Sequence, residues 1–434
     1  MSTTATIAPD SYTRREIQLT LMFAALGTVF DGVELNLLSF PMVYISQTLN
    51  VAIVSVVAAI TVQGFASLAG GFAFGWLGDI LGRRRGLALC IFVYGLGTVL
   101  ASVAPNYPTF LATRVLAGIG IGGEFGLAFA MFSECWQTER RGFMGGAIQS
   151  MFIVGQMVTQ GVLYLCLSLF GHDYGWRGGF MVLGIISIIL AWATVMWTPE
   201  SRKWLHYQEE LRTGRLPEEL RRASIPFVDL FRGGLAGGTV AFMIIVTGAF
   251  MYSYSLGTFG PTFLLRVAQV PLGLTTVILL IGFMITIASY LGFSALSDVI
   301  GRKRAFMLSN VVGVVGLAGY LALVMAGRTY VGPDFWTSPM FWVMSIAQGG
   351  YGGFGIFGVW MSEFFPTRVR STGSNTAYYT GRGFGAGLYP LVALGLAGGN
   401  VSYALGLGVI GAVVGFTVAI VTPDRTGRVI RAIE

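Results

Sequence analysis

Five ionisable side chains stand inside long apolar runs of the sequence: Asp31, Glu34, Glu124, Arg114 and Arg382. Such charges are costly in hydrocarbon unless paired or facing water, so each is a functional candidate by default. Three carboxylates against two guanidiniums leave one carboxylate without a basic partner. Desolvation, and more so a second carboxylate nearby, favours the protonated form of such a group. We expect Asp31 to take a proton, Glu124 to assist it and Glu34 to belong to the same set. Arg382 or Arg114 offers a planar fork that suits a bidentate carboxylate ligand. An arriving carboxylate would compete with a protein carboxylate for that arginine, and the released group would then protonate. A purely structural set of ion pairs is the alternative. The sequence Tyr378-Tyr379-Thr380-Gly381-Arg382 is polar and aromatic, and Tyr252, Tyr254, Tyr351, Gln156 and Gln348 could line the same cavity. Together with Tyr378 and Tyr379 they fit an anion with a ring or a short apolar body.

The elements that must position these groups follow from composition. The chain has 434 residues, of which 54% are hydrophobic and 11% charged, with a mean hydropathy of +0.72. A soluble chain carries about 25% charged residues. Disordered, disulfide-scaffold and ordinary cytosolic classes are thereby excluded, and a polytopic membrane protein remains. Apolar runs at 17–45, 51–77, 86–104, 107–133, 142–169 and 177–197 are followed by runs at 237–266, 272–296, 305–326, 337–362, 371–397 and 401–421. They predict twelve membrane helices in two sets of six. The N-terminal bundle is expected at 1–197, a cytoplasmic linker at 198–236 and the C-terminal bundle at 237–434. The linker holds Glu209, Glu210, Arg212, Glu218, Glu219, Arg221 and Arg222 and reads as a solvated connector with short amphipathic helices. The 62 glycines read as close helix packing rather than loops.

An even helix count puts both termini on one side. With the N-terminus inside, 22 of the 27 basic residues are cytoplasmic, and only Arg177, Arg266 and Arg328 lie in outer loops. Net charge of +7 is thus explained by orientation in an inner membrane, without a nucleic-acid partner. Depth then follows at about 1.5 Å per residue from the outer helix ends: Arg114 about 10 Å, Glu34 roughly 16 Å, Asp31 roughly 21 Å and Glu124 roughly 25 Å. Glu34 is therefore the expected neighbour of Arg114, and Asp31 of Glu124. Arg382 falls near the midplane.

The halves repeat. Gly78-Asp79-Ile80-Leu81-Gly82-Arg83-Arg84-Arg85 matches Ser297-Asp298-Val299-Ile300-Gly301-Arg302-Lys303-Arg304, and Ser133-Glu134 with its basic turn matches Ser362-Glu363 with its own. Parallel repeats predict pseudo-symmetric halves around a central cavity that rock against each other. Asp79, Arg83, Glu134, Asp298, Arg302 and Glu363 are expected at cytoplasmic helix ends, in interdomain contacts that close an inner gate. Chemistry of other kinds is missing from the sequence. There is no H-E-x-x-H, G-x-S-x-G or Walker loop, and Cys90, Cys135 and Cys166 have no zinc or disulfide spacing. No enzyme, metal site or cofactor is expected.

The segment Gly75-Trp76-Leu77-Gly78-Asp79-Ile80-Leu81-Gly82-Arg83-Arg84-Arg85 resembles the G-x-L-x-D-x-x-G-R-R signature of the major facilitator superfamily. Pro199-Glu200-Ser201-Arg202-Lys203-Trp204-Leu205 is similar to that family's P-E-S-P-R-W-L run, with Arg202 replacing the second proline. Glu363-Phe364-Phe365-Pro366-Thr367-Arg368-Val369-Arg370 resembles a helix 10–11 run of organic-anion porters. Asp31-Gly32-Val33-Glu34 is similar to the D-G-x-D of aromatic-acid:proton symporters, with Glu34 where an Asp is usual. Sialate, lactate and nicotinate carriers have related patterns. The resemblance implies an all-helical transporter, monomeric, taking a small carboxylate with a proton. A proton antiporter that exports an anion or drug, an uncoupled facilitator and a non-transporting receptor are the rival readings.

Overall fold

A computed structural model describes residues 12–38, 41–136, 140–214 and 226–423, and among these no strand occurs. Twelve long helical segments are labelled in chain order. The first half holds α1 (Arg14–Asn36), α2 (Ile53–Leu81), α3 (Arg83–Ser102), α4 (Tyr107–Cys135), α5 (Arg141–Gly171) and α6 (Asp173–Trp197). The second holds α7 (236–267), α8 (Leu272–Ile300), α9 (Arg302–Met325), α10 (339–364), α11 (370–396) and α12 (Val401–Val421). Ten of the twelve are long and apolar enough to cross a membrane by themselves. The other two, α10 and α11, are interrupted, and the first half of α11 is polar (RSTGSNTAYYTG).

Local sequence sets the ends and the breaks. Thr13 and Glu16 form a reciprocal capping box that starts α1, and Asn106 caps α4. The helix α1 stops at Asn36 rather than 45, because Pro41 opens a separate short helix, Met42–Thr48. Basic turns that read as loops are helical instead: Arg83 and Arg302 are the first residues of α3 and α9. The chain reverses between α5 and α6 at Gly171, whose φ of +70° suits glycine. Both α4 and α10 break at mid-length, at Gly122–Gly123 and Gly350–Tyr351. Wide π turns occur at Ser255–Phe259 and Phe263–Val267 in α7 and at Arg382–Leu388 in α11. Pro261 lies between the two turns of α7 and Pro390 just after the turn of α11, where a missing N–H makes the regular ladder impossible.

Small residues let the helices touch backbone to backbone. A Cβ on Gly32 of α1 would meet the Phe152 carbonyl oxygen of α5 at 2.0 Å, and one on Gly70 of α2 the Ile119 carbonyl oxygen of α4 at 1.9 Å. The two halves meet along two seams. In one, α2 lies on α11, with Gly75 against the Thr372 backbone; in the other, α5 lies on α8, with Gly146 against Ser294. The linker contributes the helix Arg202–Thr213, which contains Glu209, Glu210 and Arg212. Glu218, Glu219, Arg221 and Arg222, and both chain ends, lie outside the described residues. Trp192, Trp197, Tyr164 and Leu169 are among many large apolar side chains that face outward, as a lipid-facing surface requires.

Candidate functional site

A buried charge contact at the wide turn of α11 joins the two halves. Arg382, at the start of the α11 wide turn, donates from Nη1 to Oδ1 of Asp31 on α1 at 2.8 Å. Asp31 is 3% exposed and Arg382 4%, so the pair is held in a dry setting where each charge depends on the other. The Tyr379 ring lies 5.7 Å from the guanidinium carbon. Beside this pair is a cavity of about 20 Å³, walled by Gln63, Ser67, Ile121, Tyr254, Arg382 and Ala386 among others. That space holds about one water, so the halves are closed around the centre.

A second pair belongs to the first half alone. Glu34 lies 3.5 Å from Nη1 of Arg114 and accepts a hydrogen bond from Thr98. Arg114 also donates to the Gly97 carbonyl at 3.0 Å, and its guanidinium carbon is 5.2 Å from the Phe180 ring. Glu34 and Arg114 are neighbours, as depth counting expects. Asp31, by contrast, takes Arg382 as its partner. Depth counting fixes height along the bundle but not the direction a side chain faces.

Glu124 is the carboxylate left over. It opens the lower part of α4, immediately after the Gly122–Gly123 break. It is 1% exposed, makes no ion pair among the described residues, and its Oε2 has no hydrogen-bond partner there. A Cβ on Gly27 of α1 would sit 2.8 Å from Glu124 Oε1, so the glycine makes room for this carboxylate.

The remaining expected ligands divide. Tyr378 stacks on Phe125 at 3.6 Å between ring centroids, with planes 6° apart, and Tyr379 donates to the Ile121 carbonyl. Both therefore tie α11 to the broken helix α4 beside the cavity. Tyr252 donates to the Ala347 carbonyl, Tyr351 to the Ser253 carbonyl at 2.9 Å, and Gln348 accepts from Thr286 at 3.1 Å. These three link helices of the second half and do not wall the cavity. Gln156 is half-buried on α5. Gln63, Ser67 and Thr98 were not singled out by the sequence. Gln63 and Ser67 are four apart on α2, a spacing that puts them on one face, but nothing in the sequence marks that face as inward.

At the end that carries the basic turns, the predicted gate residues form two matching networks. Arg83 bonds Asp79 at 2.8 Å, Glu134 at 3.4 Å and the Thr367 carbonyl of the other half at 2.8 Å. Glu134 also receives Arg370 of the other half at 2.7 Å, and Asp79 receives the Thr372 N–H and hydroxyl at 3.0 and 2.6 Å. In the mirror network, Arg302 bonds Asp298 at 2.5 Å and Glu363 at 3.0 Å, and Glu363 receives Arg141 at 3.3 Å. Asp298 accepts the Gly142 and Phe143 N–H groups at 2.7 and 2.8 Å, at the start of α5. Each half thus places an aspartate on the first turn of a helix of the other, where unpaired N–H groups and the helix dipole favour an anion. Glu200 of the linker accepts from the Arg83 and Arg84 N–H groups at 2.9 and 3.2 Å, capping α3. Burial pushes its carboxyl up, while the Ser201 and Arg84 N–H groups and the nearby arginines pull the other way.

Two six-helix halves, sealed at one end by reciprocal charge networks and joined at mid-depth by a buried ion pair beside a cavity, define a membrane transporter. The chain belongs to the Major Facilitator Superfamily, whose sequence profile matches residues 22–390. It is 29% identical over 385 residues to a Cupriavidus pinatubonensis protein described as "Probable 4-methylmuconolactone transporter", covering 88% of this chain and 84% of the relative. It is 26% identical over 411 residues to the "Cis,cis-muconate transport protein" of Acinetobacter baylyi, covering 91% of each. Among solved structures, the MFS proton:xylose symporter XylE bound to 6-bromo-6-deoxy-D-glucose superposes with a TM-score of 0.78 over 96% of this chain and 98% of that one, at 16% identity. The likeness to XylE is one of fold. The protein is a multi-pass membrane transporter and not an enzyme.

Proposed function

We propose that the protein is a proton-coupled symporter that imports a small organic carboxylate by alternating access. One observation carries this reading: Asp31 pairs across the two halves with Arg382, which walls the cavity, at 2.8 Å and out of water. A guanidinium so placed can exchange a protein carboxylate for a substrate carboxylate at little electrostatic cost. Asp31, once released, is a buried carboxylate without a partner and takes up a proton. Glu124, already unpaired on the neighbouring helix, gives that proton a second station. Glu34 stays bound to Arg114 and holds α1 against α3 and α4. The names of the relatives, transporters of a muconolactone and of cis,cis-muconate, support an organic acid as substrate.

Substrate and proton then cross together when the reciprocal gate networks break and the halves rock. The distribution of the basic residues supports placing that gate, and both termini, on the cytoplasmic side of an inner membrane. The protein acts as a monomer, with the proton as its coupling ion. Uptake of labelled benzoate, muconate, nicotinate, lactate and sialate into proteoliposomes tests this. An imposed inward proton gradient should drive accumulation of one acid class, and an ionophore should abolish it. Accumulation indifferent to the gradient would leave a facilitator, and proton-driven efflux an exporter.

A further inference from the structure

Tyr94 of α3 is a buried polar group that neither mid-depth ion pair uses. It is 0% exposed, and its hydroxyl has no hydrogen-bond partner among the described residues. A buried hydroxyl without a partner is costly in a packed interior and needs a reason. Helix register brings it to the height of the other unmet group, Glu124 Oε2. The antiparallel helices α3 and α4 touch at small residues. A Cβ on Gly120 would lie 2.8 Å from the Tyr94 Cβ, and one on Gly123 would lie 2.9 Å from the Cys90 Cβ. Glu124 is therefore nearly level with Cys90, and the Tyr94 backbone stands four residues, about 6 Å, further from the gate. An aromatic side chain on a helix leans back toward its own N-terminus. On α3 that is the gate end, where Arg83 starts the helix. The Tyr94 ring thus covers the step down to Glu124.

The groups around Glu124 leave Tyr94 as the hydroxyl whose hydrogen is unspent. From α1, Gly27 lies against Glu124 Oε1, and Asp31 stands about one turn above it. From α11, Arg382 serves Asp31 at 2.8 Å, and the Tyr379 hydroxyl serves the Ile121 carbonyl. From α3, the Cys90 thiol serves the Leu87 carbonyl at 3.0 Å. Tyr94 remains, within electrostatic reach of Glu124, Glu34 and Asp31. Thr98, four residues further along the same α3 face, already gives its hydroxyl to Glu34. One face of α3 therefore has a hydroxyl for each carboxylate of the first half that Arg382 does not hold.

We infer that Tyr94 is a positioning residue for the proton on Glu124: its hydroxyl donates to the ionised carboxylate and gives up that role when Glu124 protonates. A small turn of either side chain, or one bridging water, makes the bond. The inference rests on Glu124 as a proton station, and it adds the group that sets how tightly the proton is held. A buried carboxylate with neither cation nor donor holds its proton tightly, whereas donation to the ionised form favours that form. Tyr94 thus loosens the proton enough for Glu124 to release it.

Infrared pH titration of the full-length protein in detergent tests this without transport. The carbonyl stretch of protonated Glu124 is the band missing from Glu124→Gln. In Tyr94→Phe its titration midpoint should rise by about one pH unit or more, a proton held at least tenfold tighter, the scale for losing a hydrogen bond to a charged group. The same pH step should perturb a phenol band in the wild type and not in Glu124→Gln, a measurement that needs no Tyr94 variant. In proteoliposomes the pH profile of uptake should shift in the same direction in Tyr94→Phe. An unmoved midpoint in a Tyr94→Phe protein of wild-type melting temperature overturns the inference. So does a wild-type titration of Glu124 that perturbs no phenol band. If the midpoint moves but uptake ignores the proton gradient, the Tyr94–Glu124 bond stands and the symport reading fails instead.

Discussion

Replacing Glu134 by Gln should open the gate end of the protein. The Glu134 carboxylate is fully buried and serves Arg83 at 3.4 Å, Arg370 at 2.7 Å and the Ser201 hydroxyl. Removing one partner of a buried pair typically costs 3–5 kcal/mol, because the remaining charge is stranded. Here Arg83 keeps Asp79 and two carbonyls, and Arg370 keeps the Ser362 carbonyl at 3.1 Å. The lower end, about 3 kcal/mol, is therefore the better figure. The penalty falls on the closed state, since Arg370 and Glu134 belong to different halves and separate on opening. An equilibrium displaced by about 3 kcal/mol shifts roughly a hundredfold. Cys135, adjacent to Glu134 and buried, is a native reporter. With Cys90 and Cys166 replaced by alanine, its labelling by a maleimide should accelerate tenfold or more in Glu134→Gln. Glu363→Gln, in the mirror network and the opposite half, should do the same to Cys135. Unchanged labelling in both folded variants would refute the view that these networks hold the halves closed.

Three further outcomes follow from the same contacts. Arg382→Lys keeps the charge but loses the planar fork, so the KM for the carboxylate should rise about tenfold in transport assays. Glu34→Gln strands Arg114 in an apolar pocket and should lower stability by about 2–4 kcal/mol, read as an earlier thermal midpoint, with Arg114→Met recovering part of the loss. Glu200→Ala removes the acceptor for the first N–H groups of α3 and should cost about 1 kcal/mol, again read thermally.

Apolar runs made the helix count and the two halves legible, because a membrane helix needs only length and hydropathy to declare itself. The equivalent placing of Asp79 and Asp298 was legible too, since the repeat puts each at the end of a helix before a basic turn. Their acceptor roles were harder to see. The N–H groups of Gly142, Phe143 and Thr372 that they cap carry no sequence signal. The Asp31–Arg382 contact spans 351 positions, and counting depth along uncertain helix ends says nothing about which way either residue turns. The same ignorance of facing grouped Tyr252, Tyr351 and Gln348 with the cavity, whereas they bond neighbouring helices of one half. Gln63 escaped notice because a single amide in an apolar helix looks like any interhelical hydrogen-bonding group. The wide turn at 382–388 was hidden as well: Pro390 marks a break but not the kind of turn that precedes it.

The central claim is that Asp31 exchanges Arg382 for a proton when substrate binds. The most direct measurement compares two modes of transport in Asp31→Asn proteoliposomes loaded with the identified acid. Exchange of labelled for unlabelled substrate at equal pH needs no net proton movement, whereas uphill uptake under an inward proton gradient does. The account predicts that Asp31→Asn retains exchange and loses gradient-driven accumulation, with no proton influx accompanying the substrate. Uphill, ionophore-sensitive accumulation at the wild-type level in Asp31→Asn would contradict it.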